Sequence, residues 1–295
     1  MHAEVGLLTH NVKIRGDDSS IKTKYGGHIL LKGNLVKSFI SNIELKYMGQ
    51  AYQIDRHPIT YTESEHLGGS YVYGTSIWDG FNRAVSVHVS NCMKVQGNVA
   101  YNVMGHNFFL QDGLEMNNSF IDNLAVATAP SHSLMNTDQT PASFWITSPN
   151  NHFVGNRAAG SDTYGFWFDL PEHSTGSSES TEVCPQHERL GSFIGNVAHS
   201  NGRYGLRIYP TYIPLQNPCD EIFKEPAEGA ADPEADAFSS NPPIPAVFEN
   251  LLVYKNERTG IIAESIGALQ FKNVVAADNI ESSIEITLPG HTILS

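Results

Sequence analysis

The residues best suited to chemistry gather around two short alternating runs. His88 closes Arg83-Ala84-Val85-Ser86-Val87-His88, His106 opens His106-Asn107-Phe108-Phe109, and Asp112 follows. An imidazole, a carboxylate and a guanidinium are the parts of a general base, a general acid and a charge stabiliser. His88, His106, Asp112 and Arg83 are therefore the candidate catalytic set. Strand periodicity aims His106, Phe108 and Leu110 to one side, and Asn107 and Phe109 to the other. The competing reading is a satisfied histidine pair at a turn, with Asp112 capping the bend at Gly113.

A second group surrounds Tyr164-Gly165-Phe166-Trp167-Phe168, where Asp162, Asp169 and Glu172 flank an aromatic strand. Aromatic faces beside acids suit a sugar groove, which makes Trp167, Asp162 and Asp169 candidate substrate-binding residues. Phe166 and Phe168 on one face equally suit a core, and Trp145 is ambiguous in the same way. Two suitably separated acids would run glycoside hydrolysis, and a base with a cationic stabiliser would run elimination. His28, His57, His66, His152 and His199 are scattered. The thirteen histidines include no His-Glu-x-x-His and no tight Cys/His ligand set, so no metal site is assigned.

What positions these residues is a loose repeat. Phe39-Ile40-Ser41-Asn42-Ile43, Val95-Gln96-Gly97-Asn98-Val99, Phe120-Ile121-Asp122-Asn123-Leu124, Phe153-Val154-Gly155-Asn156-Arg157, Phe193-Ile194-Gly195-Asn196-Val197, Phe248-Glu249-Asn250-Leu251 and Phe271-Lys272-Asn273-Val274 share one form. Each has an apolar residue, a short turn, an Asn and a new strand. A period of twenty-odd residues made of very short strands fits stacked coils that bury a common core. Asn suits a left-handed bend and can bond to the backbone of the next coil. The fold expected is all-β, a single-stranded parallel β-helix (solenoid) of roughly ten coils with inserted loops. It is read as one domain over 1–295, with a polar insert at 169–192 and an acidic, Pro-rich insert at 209–245. A β-sandwich is the alternative. The polar stretch His57 to Gly69 reads as a loop, and Cys92 as a buried small residue within a strand.

Composition narrows the function classes. A formal net charge of -13, from 18 Lys and Arg against 31 Asp and Glu, disfavours nucleic acid, whose binding relies on neutralised phosphates. Seven of those acids fall between Asp220 and Asp236, against one lysine. No run of eighteen apolar residues predicts a transmembrane segment, and Met1-His2-Ala3-Glu4-Val5 has no signal-peptide character. Cys184 and Cys219 lie in irregular segments where they can meet, and Asn117-Asn118-Ser119 is a glycosylation triplet at Asn117.

Several ordered phrases resemble a known family: Gly26-Gly27-His28, Tyr47-Met48-Gly49-Gln50, Phe81-Asn82-Arg83-Ala84-Val85, Gln111-Asp112-Gly113, Phe144-Trp145-Ile146-Thr147-Ser148-Pro149 and Ala198-His199-Ser200. They resemble, from residue 3 to about residue 280, the β-helix shared by fibrocystin-L and the cell migration-inducing and hyaluronan-binding protein, with the wording nearer the fibrocystin-L branch. The resemblance implies a right-handed β-helix preceded by a G8 domain, within a large secreted or single-pass membrane protein, so the chain is read as a fragment. It also implies an extracellular or cell-surface setting, a Cys184–Cys219 disulfide, a carbohydrate or extracellular protein partner, and calcium as a candidate cofactor.

The departures from the family pattern bear on activity. Where members carry histidines, this chain has Thr60, Thr62 and Trp78-Asp79, and a family acid is Gln111. Threonine supplies no imidazole base. The leading expectation is a non-catalytic extracellular β-helix module that binds carbohydrate or protein. The alternative is a calcium-assisted hyaluronan or glycosaminoglycan hydrolase, or a polysaccharide lyase, using His88, His106 and Asp112.

Overall fold

A computed structural model describes residues 3–33, 37–131, 136–220, 241–289 and 292–294. It is a parallel β-helix. Three nine-stranded sheets each take one strand from every coil, giving nine coils where about ten were expected. A typical coil runs through Ser76–Trp78, Val85–Asn91 and Lys94–Gln96. We call the sheets these strands enter the flank sheet, the site sheet and the third sheet.

Phenylalanines fill the interior. On the site sheet Phe144 stacks between Phe108 and Phe166, with ring centroids 4.8 and 4.6 Å away. On the third sheet Phe120 and Phe153 stack at 5.0 Å, and Phe248 and Phe271 at 5.3 Å. Each fully buried ring contributes roughly 1.5–3 kcal/mol. No coil could bury such a ring without the next one.

The recurring asparagines divide between two adjacent positions. Asn42, Asn250 and Asn273 are exposed and take the left-handed bend, with φ of 54°, 55° and 53°. Gly97, Asp122, Gly155 and Gly195 occupy that bend in other coils, and the buried Asn that follows each of them builds a ladder. Asn98, Asn123 and Asn156 each donate a backbone N–H to the side-chain oxygen of the next Asn, at 3.1, 3.1 and 2.9 Å, and the ladder ends on Asn196. A second ladder, not visible in the repeat, joins Asn201, Asn256 and Asn279 through their amides at 2.9 Å.

Two local expectations are corrected, and one glycine is explained. Ile59–His66 is a site-sheet strand, because Ile59 and Tyr61 enter the core while Thr60 and Thr62 make its outer face look like a loop. Cys92 follows the strand Val85–Asn91 at a bend with φ of 64° and is partly exposed. Gly165 lies inside the strand Tyr164–Asp169. A Cβ there would come within 2.5 Å of the Gly205 carbonyl oxygen, so the close approach of two coils requires glycine.

The first insert leaves the strand Tyr164–Asp169 and contains the short turn Gly176–Ser178. The second leaves Tyr204–Tyr209 and returns at Ala246–Glu249. Its acidic stretch, 221–240, lies outside the described residues. Cys184 and Cys219 join the two inserts through a disulfide, with Cα atoms 5.4 Å apart.

Candidate functional site

Alternation along the site sheet sends every second side chain away from the core, and the outward rows cross the coils in register. Thr60 pairs with Ser86, Ser86 with Phe109, Phe109 with Trp145, Trp145 with Trp167, and Trp167 with Arg207. Two residues further along, Thr62 pairs with His88, and Asp169 pairs with Tyr209. Although these rows face outward, Thr60, Ser86, Phe109, Trp145 and Trp167 are buried, with Arg83 lying over the Phe109 ring and His106 against Phe109 and Trp145.

The four candidate catalytic residues separate into two closed groups. In the first, His57, Arg83 and His106 stand two residues before Ile59, Val85 and Phe108, which pair across successive coils. Asp138, from the turn Asn136–Gln139, lies against this column. Its carboxylate accepts from the Arg83 Nη2 at 3.0 Å and from the His106 backbone N–H at 3.3 Å. The His106 Nδ1 accepts the Ala142 N–H at 3.0 Å, so in the neutral ring Nε2 carries the proton, 3.6 Å from Asp138. Burial, reinforced by Arg83 against the pull of Asp138, lowers the His106 pKa to about 3. Burial and Arg83 lower His57 to about 3 as well. Neither imidazole is a base poised for neutral pH.

The expected shared orientation of His106, Phe108 and Leu110 does not hold. Phe108 and Leu110 enter the core, while the His106 ring lies 4.1 Å from Trp145 on the outer side. The strand begins only at Phe108, so His106 precedes it and does not share its alternation.

The second group centres on His88. Its Nε2 meets Asp112 Oδ2 at 2.7 Å and its Nδ1 meets the Thr62 hydroxyl at 2.9 Å. Desolvation opposes the imidazolium, but the hydrogen bond and charge of Asp112, aided by Glu115, outweigh it and raise the His88 pKa. Burial raises Glu115, whose oxygens accept backbone N–H groups of Val89, Asp112 and Gly113. The insert lies on top: Ser177 Oγ is 3.2 Å from His88 Nε2, and Ser178 Oγ donates to Asp112 at 2.9 Å. Gly176, with φ of 69°, fits there because a Cβ would come within 3.0 Å of the Asp112 carboxylate. His88 lies opposite Gln111, five residues beyond His106, so the two histidines stand roughly 16 Å apart along the sheet. They do not act together.

Calcium favours six to eight oxygen ligands. The Glu115 carboxylate is occupied by backbone donors and Asp112 by His88 and Ser178, so this donor set does not fit the ion. No group of three or more His, Cys, Asp or Glu among the described residues is arranged to hold a metal.

The aromatic group is reorganised too. Asp162 is exposed before the strand Tyr164–Asp169 begins, at the end opposite Asp169. Trp167 and Asp169 do share the outer face, and the residue missed beside them is Arg207. Its guanidinium lies 4.8 Å from the Trp167 ring and 4.3 Å from the Tyr209 ring, and it pairs with Glu264 at 3.2 Å. Burial, only partly offset by Arg207, raises Asp169 to about 6. A signal for Arg207 was present, because Tyr204-Gly205-Leu206-Arg207-Ile208-Tyr209 repeats the form of Tyr164-Gly165-Phe166-Trp167-Phe168-Asp169.

Asn117 is exposed. No helix among the described residues is long and apolar enough to cross a membrane.

Comparison with known proteins follows this architecture. Residues 24–206 match the family model for the CEMIP beta-helix. The chain is 33% identical to mouse fibrocystin-L across 96% of its own length, and 31% identical to the zebrafish cell surface hyaluronidase across 88%. It is 29% identical to the human cell migration-inducing and hyaluronan-binding protein, again across 88%. It spans 7% of fibrocystin-L, 22% of the zebrafish protein and 23% of the human one.

Proposed function

The chain belongs to the CEMIP beta-helix family, and on that premise we propose that it is a non-catalytic β-helix module of a larger extracellular or cell-surface protein, binding carbohydrate. The observation that carries this reading is the closure of the candidate catalytic residues. Arg83 and His106 are engaged by Asp138, and His88 by Asp112 and Thr62, with side chains no more than 7% exposed. A hydrolase needs an acid and a base that both reach one glycosidic bond. Here the two imidazoles stand apart, and His106 is held in one tautomer by the Ala142 N–H.

Carbohydrate is favoured over protein by the outer rows, where the buried rings of Trp145 and Trp167 and the half-buried Tyr209 lie among hydrogen-bonding groups. The relatives named for hyaluronan agree with a saccharide class. The extracellular setting is supported by the Cys184–Cys219 disulfide, since such bonds persist in oxidising compartments. An exposed Asn117 within Asn117-Asn118-Ser119 suits a glycosylation site there.

The test is incubation of the purified protein with hyaluronan of defined length, with calcium present, followed by sizing of the polymer. The polymer is expected to keep its length. Shortening that is abolished by His88→Gln or Asp112→Asn would overturn the non-catalytic reading.

A further inference from the structure

The outer rows of the site sheet are buried yet incompletely satisfied. Ser86 Oγ, Gln111 Oε1, Trp145 Nε1, Trp167 Nε1 and Arg207 Nε have no hydrogen-bond partner among the described residues. All belong to outward positions on successive strands. A buried polar atom without a partner is destabilising, and such groups normally meet water or a ligand. The set mixes donors, two indole N–H groups and a guanidinium N–H, with acceptors from an amide and a hydroxyl. Hydroxyl groups satisfy both kinds.

The charges on the same face are already matched. Arg83 is paired with Asp138 and His88 with Asp112. Arg207 is paired with Glu264 and also lies near Asp169, so one guanidinium serves two carboxylates. Arg203, at the edge, donates to the Tyr164 hydroxyl at 3.2 Å. The named charges on this face balance, so a polyanion arriving here would find no surplus of cations.

The cover itself shows what the face accepts. Ser177 and Ser178 bring two adjacent hydroxyls onto His88 and Asp112, a pattern that neighbouring hydroxyls of a pyranose reproduce. From Ser86 to Arg207 the row crosses four inter-strand steps, roughly 19 Å, which is the span of an oligosaccharide rather than of one sugar.

We infer that the outer face of the site sheet binds a neutral oligosaccharide between Ser86 and Arg207, and that the Ser177–Ser178 turn is an internal mimic which the ligand displaces. This rests on the carbohydrate-binding reading above and adds the site, the charge class and the cover. Asp169, Arg207 and Tyr209 are only half-buried, so the ligand enters at their end and advances under the cover.

The experiment is calorimetric titration with neutral tetra- to hexasaccharides and, in parallel, with hyaluronan hexasaccharide, on the wild type, Trp167→Phe, and the double variant Ser177→Ala, Ser178→Ala. Neutral saccharides are expected to bind. Trp167→Phe, which keeps a ring but loses the N–H, weakens them about tenfold. The double variant tightens them, because the competing hydroxyls are gone. Binding of hyaluronan in preference to neutral chains would overturn the charge inference while leaving the carbohydrate reading in place. Neutral binding that is indifferent to all three substitutions would overturn the location. Absence of binding by either class would overturn both readings.

Discussion

The inner and outer rows of the site sheet are offset by a single residue, yet they are built on different terms. Phe108, Phe144, Phe166 and Leu206 face inward and belong to the main hydrophobic core. Phe109, Trp145, Trp167 and Arg207 face outward, and the indole N–H groups of Trp145 and Trp167 and the Arg207 Nε–H have no hydrogen-bond partner among the described residues. Burial alone therefore does not distinguish core from site. The distinction is whether the buried atoms need a partner the protein does not provide.

Substitutions on the two rows test the comparison. Phe144→Ala removes a ring stacked on both sides and is expected to cost about 3–5 kcal/mol in equilibrium denaturation. Asp138→Asn should follow at about 3 kcal/mol, since it removes a buried carboxylate charge that faces the Arg83 guanidinium. If Asp138→Asn cost nothing, the outer face would tolerate the loss of that charge and the contrast would fail.

Acidity gives the next effect. His57 and His106 titrate at about 3 in the folded chain but near 6.5 when unfolded. As pH falls below that value the unfolded state takes up protons that the folded state refuses. Each histidine then lowers stability by as much as about 1.4 kcal/mol per pH unit until its folded pKa is reached. Asp169 works in the opposite direction. Its folded pKa of about 6 exceeds the unfolded value of 3.8, so its contribution is full below 3.8 and is lost as pH rises through 6. Denaturation midpoints should thus fall from pH 7 to pH 4, less steeply than two histidines alone would give, and His106→Asn should flatten the fall.

Asp169→Asn should stabilise the protein by about 1 kcal/mol at pH 8, where the native carboxylate is ionised against its surroundings. Trp167→Phe is the mildest, under about 1 kcal/mol of stability. A larger loss from Trp167→Phe would make that indole part of the core rather than of a binding face.

Much of the fold was legible because its rule is local. The phrase that ends each coil carries a bend residue and a ladder residue side by side, and the phenylalanine before it marks the core. The two roles of Asn were not separable in the sequence, since Asn42 and Asn98 look alike until one is seen exposed at positive φ and the other buried on its neighbour. The site was less legible. Residue types identified His88 with Asp112 and Trp167 with Asp169, but Asp138 reaches its partners from a turn and Ser178 from an insert, and no periodicity encodes that. His106 misled because it precedes the strand, so the alternation did not extend to it.

The buried asparagine ladder has a consequence for how such a protein can vary. Its rungs stand 25, 33 and 40 residues apart in sequence, yet each closes at about the same length, so the pitch of the solenoid does not depend on how much chain a coil contains. Added residues leave as inserts, such as the one that returns over His88. Recognition can therefore diversify through the length and content of these loops while the frame keeps its spacing. Lineages sharing one scaffold can in this way come to differ in what they hold.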